Sequence, residues 1–104
     1  MANFMGLDVS TQSCKCVVIN TEIHKIIYQE TVNYDRDLPQ YQTENGVIQS
    51  SDSSISESDP QMWLDAIKML FTHLACERHI ISQIQAISVS GQQHGLVTLD
   101  KAGK

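Results

Sequence analysis

Phe4-Met5-Gly6-Leu7-Asp8-Val9-Ser10-Thr11-Gln12-Ser13-Cys14-Lys15-Cys16-Val17-Val18-Ile19 is the stretch on which the fold turns. Its first six residues read as a short buried strand. Ser10 to Ser13 are polar and mostly small, which suits a tight turn. Cys16 to Ile19 is rich in β-branched residues and reads as a second strand. Outward from there, Asn20-Thr21-Glu22 is a polar turn and Lys25 to Tyr34 reads as a third strand. Short turns between successive strands imply antiparallel neighbours, so the chain opens as a three-stranded meander.

Asp35 to Glu57 differs in composition. It holds Pro39, Gly46 and a run of serines with few apolar residues, and is predicted to be a long surface loop, functional or mobile. A helix follows. Asp59 suits the N-cap and Pro60 the first helical position, where its missing N–H costs nothing. Trp63, Ile67, Leu70, Phe71 and Leu74 recur at helical spacing as one apolar stripe, and the helix is expected to end near Glu77 to His79. Ile84 to Ser90 reads as the next strand, Gly91 to Gly95 as a loop, and Leu96 to Leu99 as a last strand. Asp100-Lys101-Ala102-Gly103-Lys104 looks like a hairpin turn with no strand after it. A chain stopping in mid-motif would leave a sheet edge unpaired, and self-association through that edge is expected.

The predicted class is therefore α/β: three antiparallel strands, one crossover helix, then two further strands. This is the order of a partial ribonuclease-H-like domain, shared by actins, heat-shock ATPases and sugar kinases. The order by itself names no chemistry.

Composition narrows the partners. The 104 residues carry a net charge of -5, with 41% apolar and 18% charged residues, ordinary values for a globular protein. The negative balance disfavours nucleic acid, which is held by surplus Lys and Arg. No apolar run approaches the length of a membrane helix, and the N-terminus lacks the pattern of a signal peptide. Cys14 and Cys16, two apart on a strand, point to one face and read as small buried hydrophobes. With Cys76 they are an odd, sparse set that suits the reducing cytoplasm.

Two stretches could carry chemistry. Asp8 closes a strand read as buried, a costly place for a carboxylate without a partner; Mg²⁺ would be one, and bonds to turn amides another. Ser10, Thr11 and Ser13 add hydroxyls and amides in a turn able to hold phosphate oxygens without a Lys. Ser90-Gly91-Gln92-Gln93-His94-Gly95 lies just past a strand end, where open sheets gather ligands. Its glycines allow a sharp bend, and Gln93 and His94 offer donors and acceptors suited to sugar hydroxyls. Either stretch alone also reads as a plain polar turn or loop. His24, His73 and His79 read as surface residues.

Taken together, the motifs resemble the FGGY carbohydrate kinases, and among them the xylulose kinase branch. Gly6 to Ser13 is similar to the first phosphate motif of that family, and Ser90 to Gly95 to its sugar-contacting Gly-Gln-X-His-Gly loop. Asp59-Pro60-Gln61-Met62-Trp63 resembles the start of the intervening helix. Asp35-Arg36-Asp37-Leu38-Pro39 with Thr43-Glu44-Asn45-Gly46-Val47 resembles an insertion of eukaryotic-type xylulose kinases. Each motif is weak alone; four in order across nearly the whole chain are specific.

The resemblance implies transfer of the γ-phosphoryl of ATP to D-xylulose or a related pentulose, with ATP and Mg²⁺ as cofactors. It places Asp8 beside the metal. Ser10, Thr11, Gln12 and Ser13 would lie on the ATP phosphates, and Gln93 and His94 on the sugar. Its catalytic base is an Asp well downstream of such a segment. Residues 1–104 are therefore expected to be the N-terminal part of the first kinase domain, inactive alone. One departure is Ser10, where many members carry Gly; a side chain there narrows the phosphate approach. Two other classes stay open: a non-catalytic ribonuclease-H-like module that binds sugar or nucleotide, and an actin-like ATPase. The Gln93-His94 loop counts against the latter. The Asp35-Arg36-Asp37 run reads either as solvated charge or as part of a sugar-site lid.

Overall fold

The computed structural model describes residues 2–51, 56–91 and 97–103. The expected meander is present: β1 (Asn3–Val9), β2 (Ser13–Asn20) and β3 (Lys25–Asn33) pair antiparallel in turn. The segment after β3 is more ordered than its composition suggested. It forms a one-turn helix α1 (Tyr34–Asp37), a 3-10 turn (Pro39–Tyr41) and a small hairpin of β4 (Thr43–Glu44) and β5 (Val47–Ile48). Asn45 and Gly46 make the two-residue hairpin turn, both at positive φ (54° and 80°). This is the type I′ geometry that Asn-Gly favours, and it is why a serine-rich, apolar-poor stretch still folds here.

α2 (Pro60–Ala75) begins as predicted. The Asp59 carboxylate accepts from the Gln61 N–H at 2.9 Å, with Pro60 at the first helical position. A short α3 (Arg78–Ile81) leads into β6 (Ile84–Gly91), which pairs parallel with β1. The sheet order is β3-β2-β1-β6. Of the expected second further strand, Leu96 lies outside the described residues and residues 97–99 take no regular structure; residues 100–103 are a turn closed by the Gly103 N–H on the Asp100 carbonyl at 3.0 Å. A short run of this kind without a partner ladder does not make a strand by pattern alone.

Strand alternation divides the sheet into two faces. Met5, Leu7, Cys14, Cys16, Val18 and Val32 point beneath α2 and are buried. Met62, Ala66, Leu70 and Leu74 cover them from the helix. Burying a side chain the size of Leu or Met is worth about 1.5–3 kcal/mol, so this layer supplies most of the local stability. The predicted stripe was turned by about one residue: Trp63, Ile67 and Phe71 flank the contact, half-buried, and Met62 and Ala66 face the sheet. Ala66 is short enough for the helix backbone to come close, whereas the indole of Trp63 is better placed at the margin. Cys14 and Cys16 are fully buried, as read from the sequence, and burial pushes the Cys14 thiol up to about 11. Among the described residues no helix is long and apolar enough to cross a membrane.

Candidate functional site

The residues that alternate with the core point to the other, open face. On β1 these are Gly6 and Asp8, on β2 Lys15 and Val17, and on β6 Ser88 and Ser90. The register sets them side by side: Asp8 lies opposite Lys15 on one flank and Ser90 on the other, and Gly6 lies opposite Val17 and Ser88. Together with Leu7 they line a shallow depression of about 240 Å³. Gly6 keeps its floor low, since a Cβ there would meet nothing within 4 Å. The Ser90 hydroxyl donates to Asp8 Oδ1 at 2.9 Å.

Asp8 is exposed, not buried as its strand suggested. Its neighbours Leu7 and Val9 face the core, and the pleat turns its own side chain outward. It therefore needs no buried partner, and its carboxylate is available on an open surface. Among the described residues no group of three or more His, Cys, Asp or Glu side chains could cage a metal ion. One hard-oxygen carboxylate is still what a Mg²⁺ ion uses when it keeps its waters and binds substrate phosphates, so Asp8 fits that ion in the partial role only.

The turn between β1 and β2 sits at the edge of this depression. Ser10 N–H bonds the Ser13 carbonyl at 2.9 Å and closes it. Two bonds from Tyr34 hold it from beneath: the phenol donates to the Ser10 carbonyl at 2.9 Å, and the backbone N–H to the Gln12 carbonyl at 3.1 Å. The Ser10, Gln12 and Ser13 carbonyls are thereby engaged. The Thr11 and Gln12 N–H groups make no hydrogen bond among the described residues. Two adjacent open amides in a turn present partial positive charge, the arrangement that receives anions. Tyr34 is fully buried, and burial, then the charges of Cys14 and Asp8, raises its phenol well above the ordinary tyrosine value.

The Asp35-Arg36-Asp37 run divides. Arg36 and Asp37 pair on the surface at 2.9 Å. Asp35 turns into the loop and accepts from Thr43 Oγ1 at 2.6 Å, the Asn45 N–H at 2.7 Å and the Gly46 N–H at 3.1 Å. The Thr43 hydroxyl, followed by the amides, holds its carboxyl below the usual carboxylate range.

The structure thus brings Asp8, Ser10, Thr11, Gln12 and Ser13 to one end of the sheet, with Ser90 beside them. Gln93 and His94 lie outside the described residues. Sequence reasoning passed over three residues. Lys15 was legible by alternation, since it lies on the outward face across from Asp8. Gly46 was legible through the Asn-Gly hairpin signal. Tyr34 was read as a strand end, and nothing local marks its phenol for the turn. His73, read as a surface residue, is exposed but pairs with Glu30 through Nδ1.

Against known proteins, the FGGY family of carbohydrate kinases, N-terminal domain, matches residues 3–104. The chain belongs to the FGGY family of carbohydrate kinases. This FGGY chain is 44% identical to the xylulose kinase of Schizosaccharomyces pombe over 102 residues, 97% of its own length and 18% of that protein's. Among solved structures, a ligand-bound xylulose kinase from Lactobacillus acidophilus matches with a TM-score of 0.75 at 25% identity, over 100% of this chain and 18% of that one. A gluconate kinase from the same organism matches with a TM-score of 0.74 at 25% identity, over 99% and 18%. The FGGY chain therefore spans 18% of the length of each of these relatives.

Proposed function

We propose that these residues are the N-terminal part of an ATP-dependent sugar kinase that transfers the γ-phosphoryl group of ATP to D-xylulose or a related pentulose. The observation that carries the reading is the 44% identity to a xylulose kinase across 97% of the chain, with the phosphate-like turn falling inside the matched residues. In this reading the Thr11 and Gln12 amides, with the hydroxyls of Ser10, Thr11 and Ser13, receive the phosphates of ATP. Asp8 would hold Mg²⁺, directly or through its waters, and Ser90 keeps the carboxylate oriented through its hydrogen bond. Lys15 adds a cation on the same face, opposite Asp8. Gln93 and His94 bind the sugar hydroxyls.

Phosphoryl transfer asks mostly for positioning and charge stabilisation, plus one group to take the hydroxyl proton. Mg²⁺, when bound, would offset phosphate charge. In this proposal the chain's own share is the turn amides, Asp8 and Lys15, and the proton acceptor is an Asp carried by a further part of the kinase. The 104 residues alone then transfer no phosphoryl group. ATP and sugar are the small-molecule partners, and the cytoplasm is the compartment this chemistry fits.

The test is ADP release by the complete reading frame that carries these residues, with D-xylulose, ribulose, glycerol and gluconate in parallel, and with Asp8→Ala and His94→Ala variants. Turnover selective for xylulose, abolished by Asp8→Ala and given a raised KM for sugar by His94→Ala, supports the reading. Turnover of gluconate or glycerol instead keeps the kinase and replaces the substrate. ATP hydrolysis that no sugar stimulates points to an actin-like ATPase, and absence of all turnover to a binding module.

A further inference from the structure

Beyond the bonds from Tyr34, the segment between β3 and α2 reaches the phosphate-like turn at Gly46 of the hairpin. A Cβ built on Gly46 would stand 2.9 Å from the Thr11 carbonyl carbon and 3.2 Å from Gln12 Cα, and would overlap the Thr11 carbonyl oxygen. Gly46 is itself buried and at φ 80°, so two independent constraints select glycine. Its position is fixed from three sides. Its N–H bonds Asp35 at 3.1 Å, its carbonyl accepts from Ser58 Oγ at 2.6 Å, and the hairpin behind it is closed onto the chain by the Ile48 N–H on the Glu57 carbonyl at 2.7 Å.

Asp35 follows Tyr34 in α1, and both bear on the same turn, Tyr34 directly and Asp35 through Gly46. Tyr34 ties down the Ser10 and Gln12 carbonyls. Asp35 gathers Thr43, Asn45 and Gly46 so that Gly46 closes against Thr11 between them. We propose that Asp35 and Gly46 are positioning residues for the Ser10–Ser13 turn: the hairpin is a clamp that sets the Thr11 and Gln12 amides where an anionic phosphate is received. This rests on the kinase reading above for the identity of the anion. It assigns Asp35 and Gly46 a role on the nucleotide side of the site, while Arg36 and Asp37 stay a surface pair.

The test uses the complete kinase with Gly46→Ala and Asp35→Asn, comparing KM for ATP, KM for D-xylulose and kcat, together with hydrogen exchange of peptides covering residues 8–16. For Gly46→Ala the added methyl must push the Thr11 carbonyl aside. A misplacement of about 1 Å can cost on the order of 100-fold in rate, so kcat/KM for ATP should fall about 10- to 100-fold. KM for the sugar should stay within about twofold, and exchange at residues 10–13 should speed up. Asp35→Asn, which keeps the loop's shape but weakens its bonds, should move the same quantities in the same direction by less. If Gly46→Ala does not fold, Asp35→Asn decides. Folded variants with kcat/KM for ATP and exchange at wild-type level overturn the proposal, as does an equal rise in both KM values, which marks a general structural defect. A wild-type protein that phosphorylates no sugar overturns the kinase reading instead. Exchange alone then decides the clamp, and unchanged exchange at residues 10–13 in both variants overturns it.

Discussion

Removing one oxygen from Tyr34 tests whether the turn is held as the geometry states. In Tyr34→Phe the ring keeps its place in the core, and the backbone bond to the Gln12 carbonyl survives. What is lost is the 2.9 Å bond to the Ser10 carbonyl. A neutral hydrogen bond contributes about 0.5–1.5 kcal/mol net, and an acceptor left unpaired away from water adds up to about 3 kcal/mol. Ser10 is only half-buried, so water reaches part of the way and the lower figure applies. The expected loss is about 1–2 kcal/mol. With a urea dependence of about 1–3 kcal/mol per M for a small protein, the unfolding midpoint should fall by about 0.3–2 M at unchanged slope. Fluorescence of Trp63, the one tryptophan of the 104 residues, reports the transition. Tyr34→Ala should lose about 3–5 kcal/mol because it also empties the core. The two variants thus separate bond from packing. The phenol adds a pH signature. Its folded pKa is raised, so its contribution is complete below the ordinary tyrosine value near 10 and is lost as pH rises beyond it, a dependence that Tyr34→Phe should lack. A Tyr34→Phe midpoint within about 0.2 M of the parent, a shift too small for a lost hydrogen bond at these slopes, would refute the claim that this hydroxyl secures the turn.

Two further predictions concern the layer beneath the site. Leu70→Ala, at a position 1% exposed in the centre of the α2 contact, should cost about 2–5 kcal/mol, whereas Leu64→Ala, at a position 52% exposed, should stay within about 0.5 kcal/mol, both read from the same urea titration. Thiol titration with a chromogenic disulfide should find Cys76 reacting at once in the native chain and Cys14 and Cys16 only on unfolding. The last two are buried and their thiols are shifted up, first by desolvation. Fast native reaction of all three would mean that the β2 core face opens.

Much of this chain is legible without coordinates because its signals are local. Phe4 to Ile19 alternates as paired strands must, Asp59-Pro60 announces a helix start, and both are where the residue types put them. The Asn45-Gly46 turn was equally local, yet the serines around it masked the signal. Val97 to Leu99 took no strand for the opposite reason: a strand exists only against a partner, and the pattern contains no partner.

What the sequence by itself determined is which residues alternate, where the chain turns, and which family the motifs resemble. These depend on near neighbours along the chain and on side-chain chemistry. The tertiary structure decided the rest, because it depends on pairing across long separations. Asp8 meets Ser90 only because β6 adds parallel to β1, 82 residues on. The pleat, not the composition of its strand, puts that carboxylate in the open. Tyr34 and Gly46 close on the same four-residue turn only because α1 and the hairpin fold back over it, and no periodicity in the sequence carries that information.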